Sequence, residues 1–306
     1  MREPALSMRG IHKSFGDRQA VGGLDLEVPR GCLFGLLGPN GAGKSTTIRI
    51  ALDIYKPDAG EVRILGQAPS PDVASRVGYM PEERGLYTKM RVMDVLLFMA
   101  AIRGLAAREA SPRVGRWLAR MDLADCAAKK VQELSKGMQQ KVQFIATVLH
   151  EPDLIVLDEP FSGLDPLNTQ ILKDIMVELR GAGRTIVFST HVMEQAERLC
   201  DALCLISDGR KVLEGTVDSI KGSYGRNTVA VAFDGDEAQV RAHPLVASFN
   251  SYSSSMDLRL VDGADPQQLL ADLVRSVRVR RFEVVEPSLH DIFIEQVAAA
   301  RLRVAS

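Results

Sequence analysis

The sequence predicts an α/β protein: a core built on a mostly parallel sheet with a helical subdomain, followed by a small α+β domain. Three observations predict it. Short apolar runs alternate with helical stretches up to about residue 220, as buried parallel strands and their crossover helices do. A glycine-rich loop, Gly38-Pro39-Asn40-Gly41-Ala42-Gly43-Lys44-Ser45, lies between one such run and a helix. Beyond residues 221–227, which hold two glycines among polar side chains, the order becomes β-α-β-β-α-β, the ferredoxin-like succession.

The elements follow in order. Residues 31–37 are apolar and read as a strand, and 46–52 as the helix after the glycine loop. Residues 90–149 carry helical periodicity, with breaks expected at Arg103-Gly104 and Ser111-Pro112. Three more apolar runs, 154–157, 185–188 and 202–206, are too short for helices and read as strands. This makes 1–222 one domain, with a helical subdomain at about 85–150, and 223–306 a second. In the second, 228–233 is a strand and 236–241 a short helix. Residues 246–252 and 256–261 form a hairpin. Residues 266–274 are a helix with Asp265 as N-cap and Pro266 at its first position, and 277–285 is a strand with alternating arginines. Ser288, with Asp291 three residues on, opens a terminal helix whose apolar stripe is Leu289, Ile292, Phe293 and Val297.

Composition removes several classes. Apolar residues are 46% and charged residues 25% of 306, ordinary for a globular protein. Lys plus Arg is 38 against 39 for Asp plus Glu, so there is no global charge to attract nucleic acid or an anionic membrane. The longest apolar run, 95–102, is far short of the ~20 residues a membrane-spanning helix needs. The N-terminus, Met1-Arg2-Glu3-Pro4, does not read as a secretory signal. The four cysteines lack metal or redox spacing and read as reduced, mostly buried thiols. The five histidines show no ligand spacing.

The glycine loop fits G-x-x-x-x-G-K-[ST] at every fixed position, with strand before and helix after. Its backbone N–H groups can converge on an anion, aided by the positive helix N-terminus. Lys44 would reach the terminal phosphates and the Ser45 hydroxyl would meet Mg²⁺, with Thr46 just inside the helix. Further on, Leu154-Ile155-Val156-Leu157 runs straight into Asp158-Glu159. Two carboxylates at the carboxyl edge of a buried strand stand where open α/β sheets bind ligands. Asp158 suits a Mg²⁺ contact and Glu159 suits a general base. Two surface acids would be the ordinary reading of such a pair by itself; the phosphate loop upstream raises the functional one.

Between these motifs, Leu134-Ser135-Lys136-Gly137-Met138-Gln139-Gln140 resembles the signature of ATP-binding cassette (ABC) ATPases. Ser162-Gly163-Leu164-Asp165 is similar to that family's D-loop, and Ser189-Thr190-His191 to its switch-histidine loop. Phe15 falls where the family places an adenine-stacking aromatic, although a lone Phe is also a common core side chain. The resemblance covers about residues 5–220 with every motif in family order. It implies a P-loop ATPase of the ABC type that uses ATP and Mg²⁺. Lys44, Glu159 and His191 would be catalytic. Gly38 to Thr46, Phe15, Ser135, Gly137 and Asp165 would hold nucleotide, and Ser45, Glu82 and Asp158 would hold the metal. Ser135 and Gly137 would close on the γ-phosphate held by a second cassette, expected to be a copy of this chain.

Two departures stand out. Lys136 and Met138 replace the family's common Gly and Gln, leaving the phosphate-facing Ser135 and Gly137 intact. In Tyr79-Met80-Pro81-Glu82-Glu83, Glu82 stands where the family usually has Gln; a hard cation accepts a carboxylate readily, so Glu82 is read as a metal ligand, the alternative being a solvated acid. The resemblance further implies a membrane-spanning permease docking near residues 82–90, where Leu86, Tyr87 and Met90 either line the groove or serve as core residues. It implies a cytoplasmic protein held at the inner face of the membrane through that permease. The tail, above all Pro287-Ser288-Leu289-His290-Asp291-Ile292-Phe293, resembles the accessory domain of drug-resistance and sodium-extrusion exporters.

A different class, a soluble cassette ATPase acting on nucleic acid or ribosomes, fits less well. Such factors carry two cassettes or a long coiled-coil insertion, and neither is present. Arg275, Arg278, Arg280 and Arg281 read as a solvated strand face. A nucleotide-binding module without turnover is disfavoured because Lys44, Asp158, Glu159 and His191 are all in place.

Overall fold

The computed structural model describes residues 3–83, 85–223, 228–252, 255–261, 263–285 and 288–304. The chain divides into two compact units, Met1–Gly215 and Thr216–Ser306.

The first unit runs β1 (Leu6–Phe15), β2 (Arg18–Val28), β3 (Leu33–Leu37), α1 (Lys44–Ala51), β4 (Ala59–Ile64), α2 (Pro71–Ser75), β5 (Val77–Met80), α3 (Val92–Ile102), α4 (Ala107–Arg120), α5 (Lys136–Val148), β6 (Leu154–Leu157), α6 (Pro166–Gly181), β7 (Thr185–Thr190), α7 (Met193–Leu199), β8 (Ala202–Ser207) and β9 (Arg210–Thr216). Its main sheet has the order β5-β6-β7-β3-β8-β9, and the β5-β6, β6-β7, β7-β3 and β3-β8 pairs are parallel. Both faces are covered, which is why the inner strands read as unbroken apolar runs. Ile155, Leu157, Ile186 and Phe188 pack into one core with the helical segment. Their alternate neighbours Leu154, Val156 and Val187 pack into a second core with β1, β2 and β4.

Those three strands form an antiparallel sheet in the order β2-β1-β4, which the sequence reading missed. Its signal is present in Leu24-Asp25-Leu26-Glu27-Val28, where the apolar residues are buried and the acids exposed. The helical segment comprises α3, α4 and α5, and α3 ends with Gly104 directly after its C-cap, Arg103. Gly104 N–H donates to Ala101 and Leu105 N–H to Ala100, the Schellman pattern. The expected break at Ser111-Pro112 does not occur: α4 continues through Pro112. Its buried stripe of Ala110, Val114 and Leu118 anchors it against the core and outweighs the one backbone bond that proline removes.

Strand β5 lies against α5 so closely that a Cβ at Gly78 would sit 2.4 Å from the Thr147 carbonyl oxygen and 3.0 Å from Pro152. Gly78→Ala is therefore expected to destabilise the protein by about 1–3 kcal/mol through overpacking, read as a lower midpoint in chemical denaturation. An unchanged midpoint would show that the contact yields without cost.

The second unit contains α8 (Val217–Ser223), β10 (Thr228–Asp234), α9 (Glu237–Arg241), β11 (Val246–Ser251), β12 (Met256–Leu260), α10 (Pro266–Ser276), β13 (Arg278–Val285) and α11 (Leu289–Val304). Residues 221–223 of the segment read as a linker belong to α8, and 224–227 lie outside the described residues. The sheet is antiparallel in the order β11-β12-β10-β13, with Val240, Leu269 and Leu273 packed on the core side. Asp265 caps α10 by accepting from Gln267 N–H at 2.9 Å, and Ser288 Oγ accepts from Asp291 N–H at 3.2 Å. The strand arginines are exposed and locally paired, Arg280 with Asp234 and Arg281 with Glu283.

All four cysteines are free thiols. Burial, helped by nearby Asp201, pushes Cys32 up to about 11; burial also raises Cys200 and Cys204. Among the described residues no helix is long and apolar enough to cross a membrane.

Candidate functional site

Parallel registration sets the site. Leu37 pairs with Thr190, Leu157 with Phe188, and Met80 with Leu157. The carboxyl ends of β3, β5, β6 and β7 thus share one edge of the sheet. The segments leaving that edge are the glycine loop, the Glu82 loop, Asp158-Glu159 and Thr190-His191. Parts of these segments, together with Phe15, Arg18 and Ala20 from the antiparallel sheet, surround a cleft of about 440 Å³.

The loop after β3 is built for close approach. A Cβ at Gly38 would lie 2.2 Å from the Ile206 carbonyl oxygen, and one at Gly43 (φ 104°) 2.6 Å from that of Ala20. No side chain fits in either place, and at Gly43 the left-handed backbone also favours glycine. The loop is braced from below. The Asp208-Gly209 turn, with φ of 49° and 73°, joins β8 to β9; Gly209 N–H donates to the Ala42 carbonyl at 3.0 Å, and Gly22 N–H to that of Gly209 at 2.8 Å. Asn40, Gly41, Gly43, Ser45 and Thr46 line the cleft, while Ala42 is buried beneath it. Helix α1 begins at Lys44, two residues earlier than expected, so Ser45 and Thr46 stand in its first turn.

Lys44 is 6% exposed. Its Nζ donates to the carbonyls of Gly38 at 2.8 Å and Pro39 at 3.2 Å and lies 3.4 Å from Glu159 Oε1. Both Glu159 oxygens are 3.1 Å from His191 Nδ1. Glu159 itself has φ 48°, a conformation that costs a non-glycine residue about 1–3 kcal/mol and concentrates at functional sites. Asp158 is fully buried. Its Oδ1 accepts from Ser189 Oγ at 2.6 Å, and its Oδ2 has no partner. Ser189 Oγ also accepts from Glu159 N–H at 2.9 Å, so one hydroxyl links both acids to the end of β7. Within its motif Ser189 marked only the approach to His191; its role as a link needs the β6-β7 register.

Phe15 is an exposed wall of the cleft, not core; Tyr55 meets it edge-on at 5.5 Å and Lys13 sits 5.6 Å from its ring centre. Glu82 also lines the cleft, whereas Glu83 turns towards Arg49 at 3.6 Å. Three expected nucleotide contacts lie elsewhere. Ser135 caps α5, accepting from Met138 N–H at 3.2 Å. A Cβ at Gly137 would lie 3.5 Å from the Leu164 side chain and 3.6 Å from the Gly163 carbonyl oxygen, so this glycine faces the loop of Asp165. Asp165 caps α6 and is held below the usual carboxylate range by the Asn168 backbone and side-chain hydrogen bonds. None of the three lines this cleft. Arg18 and Ala20 do, and escaped the sequence reading because β2 did.

No group of three or more acidic, His or Cys side chains among the described residues forms a ready-made metal cage. The partnerless Asp158 oxygen and the cleft-lining Ser45 and Glu82 nonetheless fit magnesium, which is held by one or two protein carboxylates together with substrate phosphates and water.

Two family models match the chain. Residues 21–162 match the family model described as ABC transporter. Residues 215–297 match that of the ATP-binding protein DrrA1-3-like C-terminal domain. The chain is 43% identical over 294 residues to the ABC transporter ATP-binding protein YhaQ of Bacillus subtilis, covering 96% of this chain and 99% of that one. It is 34% identical over 301 residues to the Nod factor export ATP-binding protein I of a Rhizobium species, covering 96% and 97%. Among solved structures, the ATP-binding subunit of an ABC transporter superposes with a TM-score of 0.68 at 32% identity, over 72% of this chain and 93% of that one.

Proposed function

Because the chain belongs to the ABC transporter ATP-binding proteins, which hydrolyse ATP to power transport, we propose that two copies of it share each nucleotide between the cleft of one and the Ser135-Gly137 turn of the other, and that their closure drives a separate permease. One observation carries this: Lys44, Ser45, Thr46, Glu82 and Glu159 line one cleft, yet Ser135, Gly137 and Asp165 lie outside it. A residue set split in this way becomes one site when a second cassette supplies the missing half. The relative named for Nod factor export and the DrrA-like second unit support export as the direction. The division into a cassette up to about residue 222 and an accessory domain after it belongs to the same reading.

The chemistry follows from the residues. The loop amides and the N-terminus of α1 neutralise phosphate charge. Lys44 exchanges the carbonyls of Gly38 and Pro39 for phosphate oxygens. Ser45, Asp158 and Glu82 would hold Mg²⁺, which when bound would supply further neutralisation of developing charge. Glu159 takes the proton of the attacking water, and His191, already in contact with both its oxygens, orients it. Phe15 offers a ring face to the base.

The permease surface is read at residues 82–90 and the adjoining turn of α3. Tyr87 and Phe98 stack edge-on at 5.4 Å, and with Ile102 they form an exposed apolar face, the composition that interface cores favour. Leu86 is 9% exposed and packs into the core, so it supports the wall of this groove from behind. Docking there keeps the protein at the inner face of the membrane.

Mixing two disabled chains tests the sharing. Lys44→Ala and Ser135→Arg each spoil both sites of a homodimer, whereas a mixed dimer keeps one site intact. Combining the two purified variants should restore ATPase activity above the sum of the separate preparations. A mixture no more active than its parts would sink the shared site.

A further inference from the structure

Helix α5 carries more than the Ser135 turn. Gln143 lies two turns further along it and is 5% exposed. Its Nε2 donates to the Pro81 carbonyl at 2.9 Å and to the Glu83 carbonyl at 3.1 Å. These carbonyls belong to the residues on either side of Glu82. An amide nitrogen has two hydrogens, and both are used to hold the backbone before and after one side chain. The supporting frame is stiff. Thr147 Oγ1 donates its one hydrogen to the Gln143 carbonyl at 2.9 Å and lies 3.4 Å from that of Tyr79, and Gly78 meets α5 backbone to backbone. Three residues before Gln143, on the same side of the helix, Gln140 Nε2 donates at 3.2 Å to the carbonyl of Pro160, the residue after Glu159. One helix thus grips the chain beside both the metal-side acid and the catalytic base.

We propose that Gln143 is a positioning residue for Glu82: it fixes the backbone on both sides of that acid, so that the Glu82 carboxylate is presented to the magnesium–nucleotide at a place set by α5. This rests on the reading of Glu82 as a metal ligand. The Oε1 of Gln143 has no partner; the buried amide is retained at the cost of one unmade bond, which packing alone would not require. A methionine of similar length would fill the space without that cost. Because α5 also bears Ser135, a movement of the helix when a second cassette engages its N-terminus is passed directly to the Glu82 loop.

The test measures the binding of a fluorescent ATP analogue to the full chain, with magnesium and with EDTA, in four proteins: parent, Glu82→Ala, Gln143→Met and the double variant. The ratio of the two affinities reports the metal contribution without turnover. Gln143→Met should lower that ratio about 10-fold, as lost support of a metal ligand does, with the EDTA affinity unchanged. The double variant should be no worse than Glu82→Ala alone. If Glu82→Ala keeps the parental ratio, Glu82 is no ligand and the proposal falls with that reading. If Glu82→Ala lowers it but Gln143→Met does not, the positioning claim alone fails. An additive double variant, or an equal loss in EDTA, likewise overturns it. Thermal melting checks the fold, and Gln143→Asn, one methylene too short to span both carbonyls, replaces Met if that variant does not fold.

Discussion

Glu159→Gln should lower ATP hydrolysis by about 10²–10⁴-fold, the usual worth of a positioned general base, or ~3–5 kcal/mol of barrier. The substitution keeps shape and removes only the ability to accept the proton. The amide can still meet His191 and Lys44, which now sit 3.1 and 3.4 Å from the carboxylate, so nucleotide binding should survive. In the presence of Mg²⁺ and ATP the variant should therefore accumulate as an ATP-bound dimer, seen by sedimentation, while phosphate release nearly stops. A variant that turns over at close to the parental rate would assign the base elsewhere.

Ser189→Ala should have the next largest effect, although Ser189 need touch neither water nor phosphate. Its hydroxyl is the hydrogen-bond donor to Asp158 Oδ1 and the acceptor for Glu159 N–H. Asp158 is fully buried and its other oxygen is already without a partner. Removing the hydroxyl leaves a buried carboxylate and a backbone N–H unmatched. Hydrogen bonds to charged groups contribute about 1.5–3 kcal/mol, so chemical denaturation should register a loss of that order. With Asp158 in its proposed role beside the metal, its misplacement should weaken magnesium-dependent nucleotide binding by about 10–100-fold. Ser189→Thr, which keeps the hydroxyl, should recover part of both. Parental stability together with parental magnesium dependence in Ser189→Ala would remove the link.

The sequence made the phosphate loop legible because its chemistry is local: glycines, lysine and serine at fixed spacing between strand and helix. Asp158 and Glu159 were legible for a similar reason, since a buried strand ends in both. The ferredoxin-like order of the second unit also showed in its turns and caps, Asp265 and Ser288 among them. What escaped depends on pairing across distance. The sheet of β1, β2 and β4 exposes one face of much of its length, so its alternation is diluted by Gly22, Gly23 and polar residues, and with it Arg18 and Ala20 went unread. Nothing in the local sequence singles out the side chain of Gln140 or Gln143; only the carbonyls that come to meet them give them work. Pro112 pointed to a break because local rules count the lost backbone bond, whereas the buried stripe that holds α4 together is a property of the packed core.

The hairpin tip between β8 and β9 has a practical corollary. Tips of this kind are favoured places for inserting peptide tags or reporter domains. Here the exposed Asp208 invites such a graft, yet its neighbour Gly209 is buried and bonded to Ala42 and Gly22. Any cargo spliced at that point would wedge apart the underside of the nucleotide grip, so labels for imaging or purification belong on another loop.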